Sequence, residues 1–150
     1  MTSEPAASAP SPATSPAASP TASPDDSFWQ ERRVCFLTTR RPDGTPHLVP
    51  VGVTYDPRTR IARVISSGGS KKVRNVRAAG PDAPVAVSQV EGRRWCTLEG
   101  TAVVKDDAES VADAEQRYAE RYKPPRVNPE RVVIEITVTR AMGTAKPPGW

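Results

Sequence analysis

Between residues 34 and 140 the chain alternates short runs rich in valine and isoleucine with clusters of proline, glycine and aspartate. Runs this short, bounded by turn formers, make strands, and this punctuation limits the fold more than any other feature of the sequence. Residues 34–39 predict a strand and 41–46 a turn. A second, valine-rich strand covers 47–55, and 56–60 reverse the chain into a third at 61–66. Connections of this length join antiparallel neighbours. A basic helix follows from Lys71 to about residue 79, then a break over 80–84, a strand over 85–90, a hairpin at 91–94 and a strand over 95–105. Asp106 with Glu109 predicts a capping box. The helix it opens sets Val111, Ala114, Tyr118 and Tyr122 on one side, with Asp113, Glu115, Glu120 and Arg121 largely elsewhere. Pro124-Pro125 stops it, and residues 131–140 predict a last, mostly buried strand. The expectation is a mainly β fold of six antiparallel strands with two or three short helices, closed into a barrel so that no edge is left open. So small a barrel has little interior room. A sizeable cofactor would bind on its outer wall or between two copies, and a homodimer is expected.

The first 26 residues cannot join that barrel. Twenty-two of them are Ala, Ser, Pro or Thr, and they carry no Lys or Arg. Without large apolar groups to offset chain entropy, residues 1–26 are expected to be a disordered tail. The organisation expected is that tail, a folded domain over 27–143 and a short C-terminal tail over 144–150. The opening segment lacks the basic start and apolar run of a secretory signal, and no run approaches the ~18 apolar residues of a membrane span. A cytoplasmic protein without membrane contact is expected. Beyond residue 26 stand 21 basic against 14 acidic side chains, an excess that suits an anionic partner. Nucleic acid is not expected to be that partner, since the basic residues are dispersed and aromatics make up only 5% of the chain.

One segment shows where an anion would sit. In Ser66-Ser67-Gly68-Gly69-Ser70-Lys71-Lys72 an apolar strand runs through a glycine turn into the basic helix. Gly68 and Gly69 allow positive φ and close ligand approach, Ser70 suits an N-cap, and the free amides of the first helical turn carry the positive end of the dipole. Lys71 and Lys72 add full charges. Taken alone, the segment is equally a capped helix with solvated lysines. Cys35 and Cys96 lie in apolar strands and are expected to be buried thiols. His47 is the only histidine, and no Cys/His/Asp cluster stands at metal-ligand spacing. Without a Gly-x-Ser-x-Gly elbow, hydrolytic chemistry has little support, and no catalytic side chain is singled out.

In order along the chain, Leu37-Thr38-Thr39, Asp43-Gly44-Thr45-Pro46-His47, Val51-Gly52-Val53-Thr54-Tyr55-Asp56-Pro57, Ile61-Ala62-Arg63-Val64-Ile65, Gly68-Gly69-Ser70-Lys71-Lys72 and Leu98-Glu99-Gly100 form a set. It resembles the split β-barrel flavin/deazaflavin oxidoreductases related to pyridoxamine 5′-phosphate oxidase, the FMN-binding split-barrel type. Within that group it is most similar to the actinobacterial biliverdin reductases that use coenzyme F420. The similarity continues through Arg117-Tyr118-Ala119-Glu120-Arg121-Tyr122 and Val132-Val133-Ile134-Glu135, covering essentially residues 30–143.

The resemblance implies a homodimer with two cofactor sites at the interface. It assigns the turn from Gly68 through Gly69, Ser70 and Lys71 to Lys72 to the coenzyme phosphate. His47, Leu48, Val49 and Pro50 would lie beside the tricyclic ring, with Gly52 permitting close approach and Arg63 reaching a polar edge. The hairpin that carries Arg94 and Trp95 would come from the second chain. The implied chemistry is hydride transfer from the reduced deazaflavin to a conjugated substrate, most closely biliverdin to bilirubin. Biliverdin is a dianion, and Arg93, Arg94, Arg117, Arg121 and Arg126 are candidates to bind its propionates, although any one of them alone is ordinarily a solvated charge. His47, with an unperturbed pKa near ~6.5, is a possible proton donor but more simply a cofactor contact. Two alternatives stand beside this expectation: an FMN-binding relative that uses the same pocket for a flavin phosphate, and a non-enzymatic tetrapyrrole-binding module.

Overall fold

The computed structural model describes residues 27–150, and the tail expected over 1–26 lies outside the described residues. The elements are β1 (Cys35–Arg40), β2 (Pro46–Val51), β3 (Thr54–Asp56), β4 (Ile61–Ser67), α1 (Lys71–Ala79), β5 (Ala83–Glu91), β6 (Arg94–Lys105), α2 (Ala108–Arg121) and β7 (Arg131–Met142). All seven strands belong to one sheet in the order β2-β1-β5-β6-β7-β4-β3, and every pair in it is antiparallel. Its two outer strands, β2 and β3, are consecutive in the chain and separated only by Gly52 and Val53. Three residue steps span at most about 11 Å. The two edges therefore meet at this corner, and the sheet must coil into a barrel. Among the described residues no ladder joins β2 to β3, so the barrel is split along that seam.

The seam also explains why seven strands are present where six were expected. Residues 47–55 look like one strand because their valine content does not change along the run. The first half pairs with β1, from Arg40↔Pro46 to Cys35↔Val51, whereas Thr54 to Asp56 pair with β4. One straight strand cannot serve both ends of the sheet, so the run breaks at Gly52-Val53.

Inside the barrel, alternation places Cys35, Leu37, Val64, Val87, Leu98, Ile134 and Ile136 in a core from which solvent is excluded. α1 packs on β1, β5 and β6 and buries Val73 and Val76. Its buried Asn75 donates through Nδ2 to Thr39 Oγ1 at 3.0 Å. Between Glu99 and Gly100 the β6–β7 register shifts by a bulge, which bends the pair as coiling requires. A Cβ on Gly100 would stand 2.0 Å from the Thr137 carbonyl oxygen, so no side chain fits there.

α2 lies across β3, β4 and β7. Its cap is Asp107, which accepts the Ser110 amide at 3.0 Å. Asp106, the residue expected in that role, instead faces Arg77 at 3.5 Å, because the helix starts one residue later than the capping-box pattern implied. Residues 144–150 pack on the barrel: Ala145 and Pro147 are buried, Trp150 stacks under Arg60 at 3.8 Å and its Nε1 donates to Tyr55 Oη at 3.1 Å. Among the described residues no helix is long and apolar enough to cross a membrane.

Leu98→Ala, which empties a fully buried position, is expected to cost about 2–5 kcal/mol in urea unfolding. Gly100→Ala should also lower the midpoint. A Gly100→Ala protein as stable as the wild type would contradict the close approach of β7 at the bulge.

Candidate functional site

β4 ends in Ser66-Ser67, and its ladder with β7 runs out at Ser67↔Arg131. The turn that follows is tied down by local bonds. The Gly68 amide donates to Glu130 O at 2.9 Å and the Ser70 amide to Ser67 O at 3.1 Å. Asn128 Nδ2 donates to Ser67 Oγ at 2.9 Å. Ser70 holds the N-cap position of α1, but its side chain caps no helix amide and shares a 2.8 Å bond with Ser66 Oγ. The glycines also act differently from expectation, since neither Gly68 nor Gly69 has positive φ. A Cβ on Gly68 would press to 3.2 Å on Glu130 O, while Gly69 has nothing within 4 Å. Gly68 lets two backbones approach, and Gly69 leaves the space before the helix open.

Beside this turn lies a cleft of about 390 Å³. One wall is Pro50, Val51 and Gly52 at the end of β2, and the floor is Ile65, Ser66 and Ser67. The far wall is Tyr118 of α2 with the Lys123-Pro124-Pro125-Arg126 segment, and Lys72, Asn128 and Arg131 complete it. Four cations line the cleft and no carboxylate does. Arg131 is engaged by Glu115 at 2.8 Å and by Arg126 O at 2.8 Å. Lys72, Lys123 and Arg126 have no ion-pair partner among the described residues. Burial holds the Lys72 ammonium below the usual lysine range, the sign of a charge partly stripped of water and lacking a counter-ion. A second cavity, of about 300 Å³, lies between Trp29, Tyr55 and the Arg117 and Glu120 turn of α2. Its Arg117 is already matched, at 2.9 Å from Asp113 and 3.5 Å from Asp56, and Asp56 and Glu120 add carboxylates to its lining. Of these two, the first cleft is the one with cationic charge left to offer a ligand.

Of the expected site residues, Pro50, Gly52 and Lys72 line the cleft, and Gly68, Gly69, Ser70 and Lys71 form the turn at its rim. His47 lies within the fields of Lys71 and Lys72. Burial, then Arg41 and the two lysines, pull its pKa below the ordinary value, and its Nδ1 is buried and unbonded. Val49 sits opposite Leu37 in the register, while Leu48, 65% exposed, points outward. At Gly52 two protein side chains come close to the backbone. A Cβ there would stand 2.8 Å from Tyr118 Cε2 and 3.1 Å from Tyr122 Cε2, so the missing side chain makes room for two tyrosine rings.

Arg63 is not in the cleft. It lies under α2 between Asp113 at 3.7 Å and Glu135 at 3.9 Å. Arg94 stacks over the Phe28 ring at 4.6 Å and faces Glu31 and Glu91, and Trp95 is exposed on the outer sheet face. Within one chain the structure does not bring these two to the cleft. Arg121, a candidate propionate ligand, is 7% exposed and committed to backbone and amide oxygens. Lys123, Arg131, Tyr118 and Asn128 were not anticipated. For Lys123 the sequence signal is Lys123-Pro124-Pro125-Arg126, a stiff cationic run directly after a helix, and Tyr118 stands on the apolar side of that helix.

Residues 25–144 match the family model described as pyridoxamine 5′-phosphate oxidase. The chain belongs to that family. Over 119 residues, 79% of this chain and 85% of the relative, it is 51% identical to an F420H(2)-dependent biliverdin reductase of Mycobacterium tuberculosis (strain CDC 1551 / Oshkosh). Among solved structures it is similar to a conserved hypothetical protein of Mycobacterium tuberculosis, with TM-score 0.64 and 23% identity over 78% of this chain and 79% of that one. It is also similar to an F420 reductase, with TM-score 0.63 and 24% identity over 78% of this chain and 94% of that one. At these identities the two structures speak for the fold. The mainly β, antiparallel architecture is the one expected for this family.

The site generates two expectations. Gly52→Ala should push Tyr118 into the cleft and weaken binding of inorganic phosphate, measured by calorimetry. Lys72 binds an anion only while protonated, and its pKa is lowered. Phosphate affinity should therefore fall on the alkaline side before an ordinary lysine would lose its proton, and Lys72→Arg should extend binding to higher pH. Stability carries the opposite sign: Lys72 penalises folding while charged, and stability rises as pH climbs from its lowered folded pKa toward the unfolded value.

Proposed function

We propose that this chain is an oxidoreductase that uses the deazaflavin coenzyme F420, in its reduced form, to reduce biliverdin to bilirubin. One observation carries the proposal: a cleft lined by four cations and no carboxylate, in a chain 51% identical to an F420H(2)-dependent biliverdin reductase. The donor set fits a phosphate-bearing, flat coenzyme. Lys72 supplies the charge, Ser66 and Ser67 supply hydroxyls, and the open start of α1 supplies the dipole. Pro50, Val51, Ile65 and Tyr118 form the apolar walls that a ring system needs. When bound, the reduced coenzyme supplies the hydride. The protein's part is to fix the anion at Lys72, to keep water from the ring with Pro50 and Tyr118, and to hold the substrate's propionates with Lys123 and Arg126.

A homodimer is part of the proposal, and the outer face of β1, β2, β5 and β6 supports it. Val34, Phe36, Leu48, Val90 and Trp95 are all exposed there, from 38% to 65%. Cross-strand pairing sets Phe36 beside Pro50 and Ser88, and Val90 beside Trp95, on one side of the sheet. An apolar face of this kind suits a second copy. Pro50 borders both this face and the cleft, so a partner docked here would form the cleft's remaining side, bringing its own Arg94 and Trp95 hairpin. A cytoplasmic location fits a reaction that draws on a reduced coenzyme.

A fluorescence titration with F420, and in parallel with FMN, tests the proposal on the wild type and on Lys71→Ala/Lys72→Ala. The expected result is F420 binding that weakens about tenfold or more in the double variant, together with loss of biliverdin absorbance when the reduced coenzyme is supplied. Preference for FMN would move the chain to the flavin-using branch of the family. Binding of neither would contradict the proposal.

A further inference from the structure

We propose that Arg121 and Tyr122 are positioning residues that set the geometry of the anion cleft by latching the open seam of the barrel; the proposal rests on the cleft being the binding site described above. At the seam, Val53 lies between two edge strands and belongs to neither ladder. It is fully buried, so both of its backbone groups must find partners away from water. Both partners come from the end of α2. The Val53 amide donates to Tyr122 Oη at 3.1 Å, and the Val53 carbonyl accepts from Arg121 Nη1 at 2.6 Å.

Each latch residue is itself held. Tyr122 Oη donates to Arg33 O at 2.7 Å. Arg121 donates through Nε to Glu31 O at 2.9 Å and through Nη2 to Gln89 Oε1 at 2.6 Å, and Gln89 is fixed in turn by its Nε2 bond to Phe28 O at 3.0 Å. The guanidinium is thus spent on oxygens from three separate segments, which gives it no capacity for a ligand.

The same two segments build opposite walls of the cleft. Gly52, next to Val53, is one wall, while Tyr118 and Lys123, on either side of the latch in sequence, belong to the other. Tyr118 stacks on Tyr122 with ring centroids 4.9 Å apart. The walls are therefore spaced by the latch and not by a strand ladder, and releasing it lets them move apart. This is a function for the Tyr122 hydroxyl that ring packing does not share: Tyr122→Phe keeps the stack and the fit against Gly52 but removes the partner of the Val53 amide.

The test combines site-resolved amide exchange of the ligand-free protein with titrations of F420, FMN and inorganic phosphate, on the wild type, Tyr122→Phe and Arg121→Lys. Expected in Tyr122→Phe is exchange at Val53 about tenfold faster with the Val87 amide of central strand β5 unchanged. The affinity for whichever probe the wild type binds should drop about fivefold to tenfold. Arg121→Lys, which keeps the charge but not the fork, should behave in the same direction. Faster Val53 exchange with affinity within twofold of the wild type would overturn the proposal, leaving the latch a purely structural device. So would unchanged Val53 exchange, or a rise at Val53 and Val87 alike, which would report global loosening. Wild-type binding of phosphate but of neither coenzyme would refute the proposed function alone, with the latch still decided by phosphate. Binding of none of the three would remove both.

Discussion

The Val53 amide and carbonyl have no strand to pair with, and the architecture around the site follows from how that deficit is met. A seven-stranded antiparallel sheet whose first and last strands are consecutive in the chain must coil, yet the corner Gly52-Val53 leaves the coil unclosed. Helix α2 supplies what the missing ladder does not, through Arg121 and Tyr122. To reach the corner, the helix end must lie close over Gly52, and only glycine leaves space for the Tyr118 and Tyr122 rings. Seam, helix placement and cleft are one constraint seen at three scales.

Electrostatics then determine what the cleft accepts. Both larger cavities beside α2 contain arginine or lysine, but in one of them Asp56 and Asp113 already neutralise Arg117. In the other, Lys72, Lys123 and Arg126 meet no carboxylate among the described residues, and burial of Lys72 makes an uncompensated charge costly. An anion that supplies the counter-charge relieves that cost, which favours a ligand such as a phosphate ester over a neutral ring alone. His47 feels the same excess of positive charge, its pKa held below the ordinary value first by burial and then by Arg41, Lys71 and Lys72.

The positions of the strands along the chain, the basic helix and the glycine turn before it were legible in the sequence because each is written locally: valine alternation, Pro/Gly/Asp turns, and Gly-Gly-Ser-Lys-Lys. What was not legible depended on partners far along the chain. Residues 47–55 show no local sign of a corner, because the break is imposed by pairing with β1 on one side and β4 on the other. Arg121 has the pattern of a solvated helix residue, and its burial comes from Val53, Gln89 and Glu31, 32 to 90 positions away. Arg63 likewise follows a strand alternation that a ligand-facing arginine would share, and only the packing of α2 shows that its partners are Asp113 and Glu135. The Gly68-Gly69 turn was located correctly for a reason the backbone does not use, since close packing and open space, rather than positive φ, account for the two glycines.

The central claim is that the coenzyme occupies the cleft between the seam and the end of α2. Amide resonances followed through an F420 titration of isotopically labelled protein test it most directly. The account predicts that the largest shifts fall on Gly52, Ser66, Ser67, Lys72, Lys123 and Asn128. Shifts centred instead on Trp29, Tyr55 and Arg117 would contradict it, placing the ligand in the cavity where Arg117 is already paired with carboxylates.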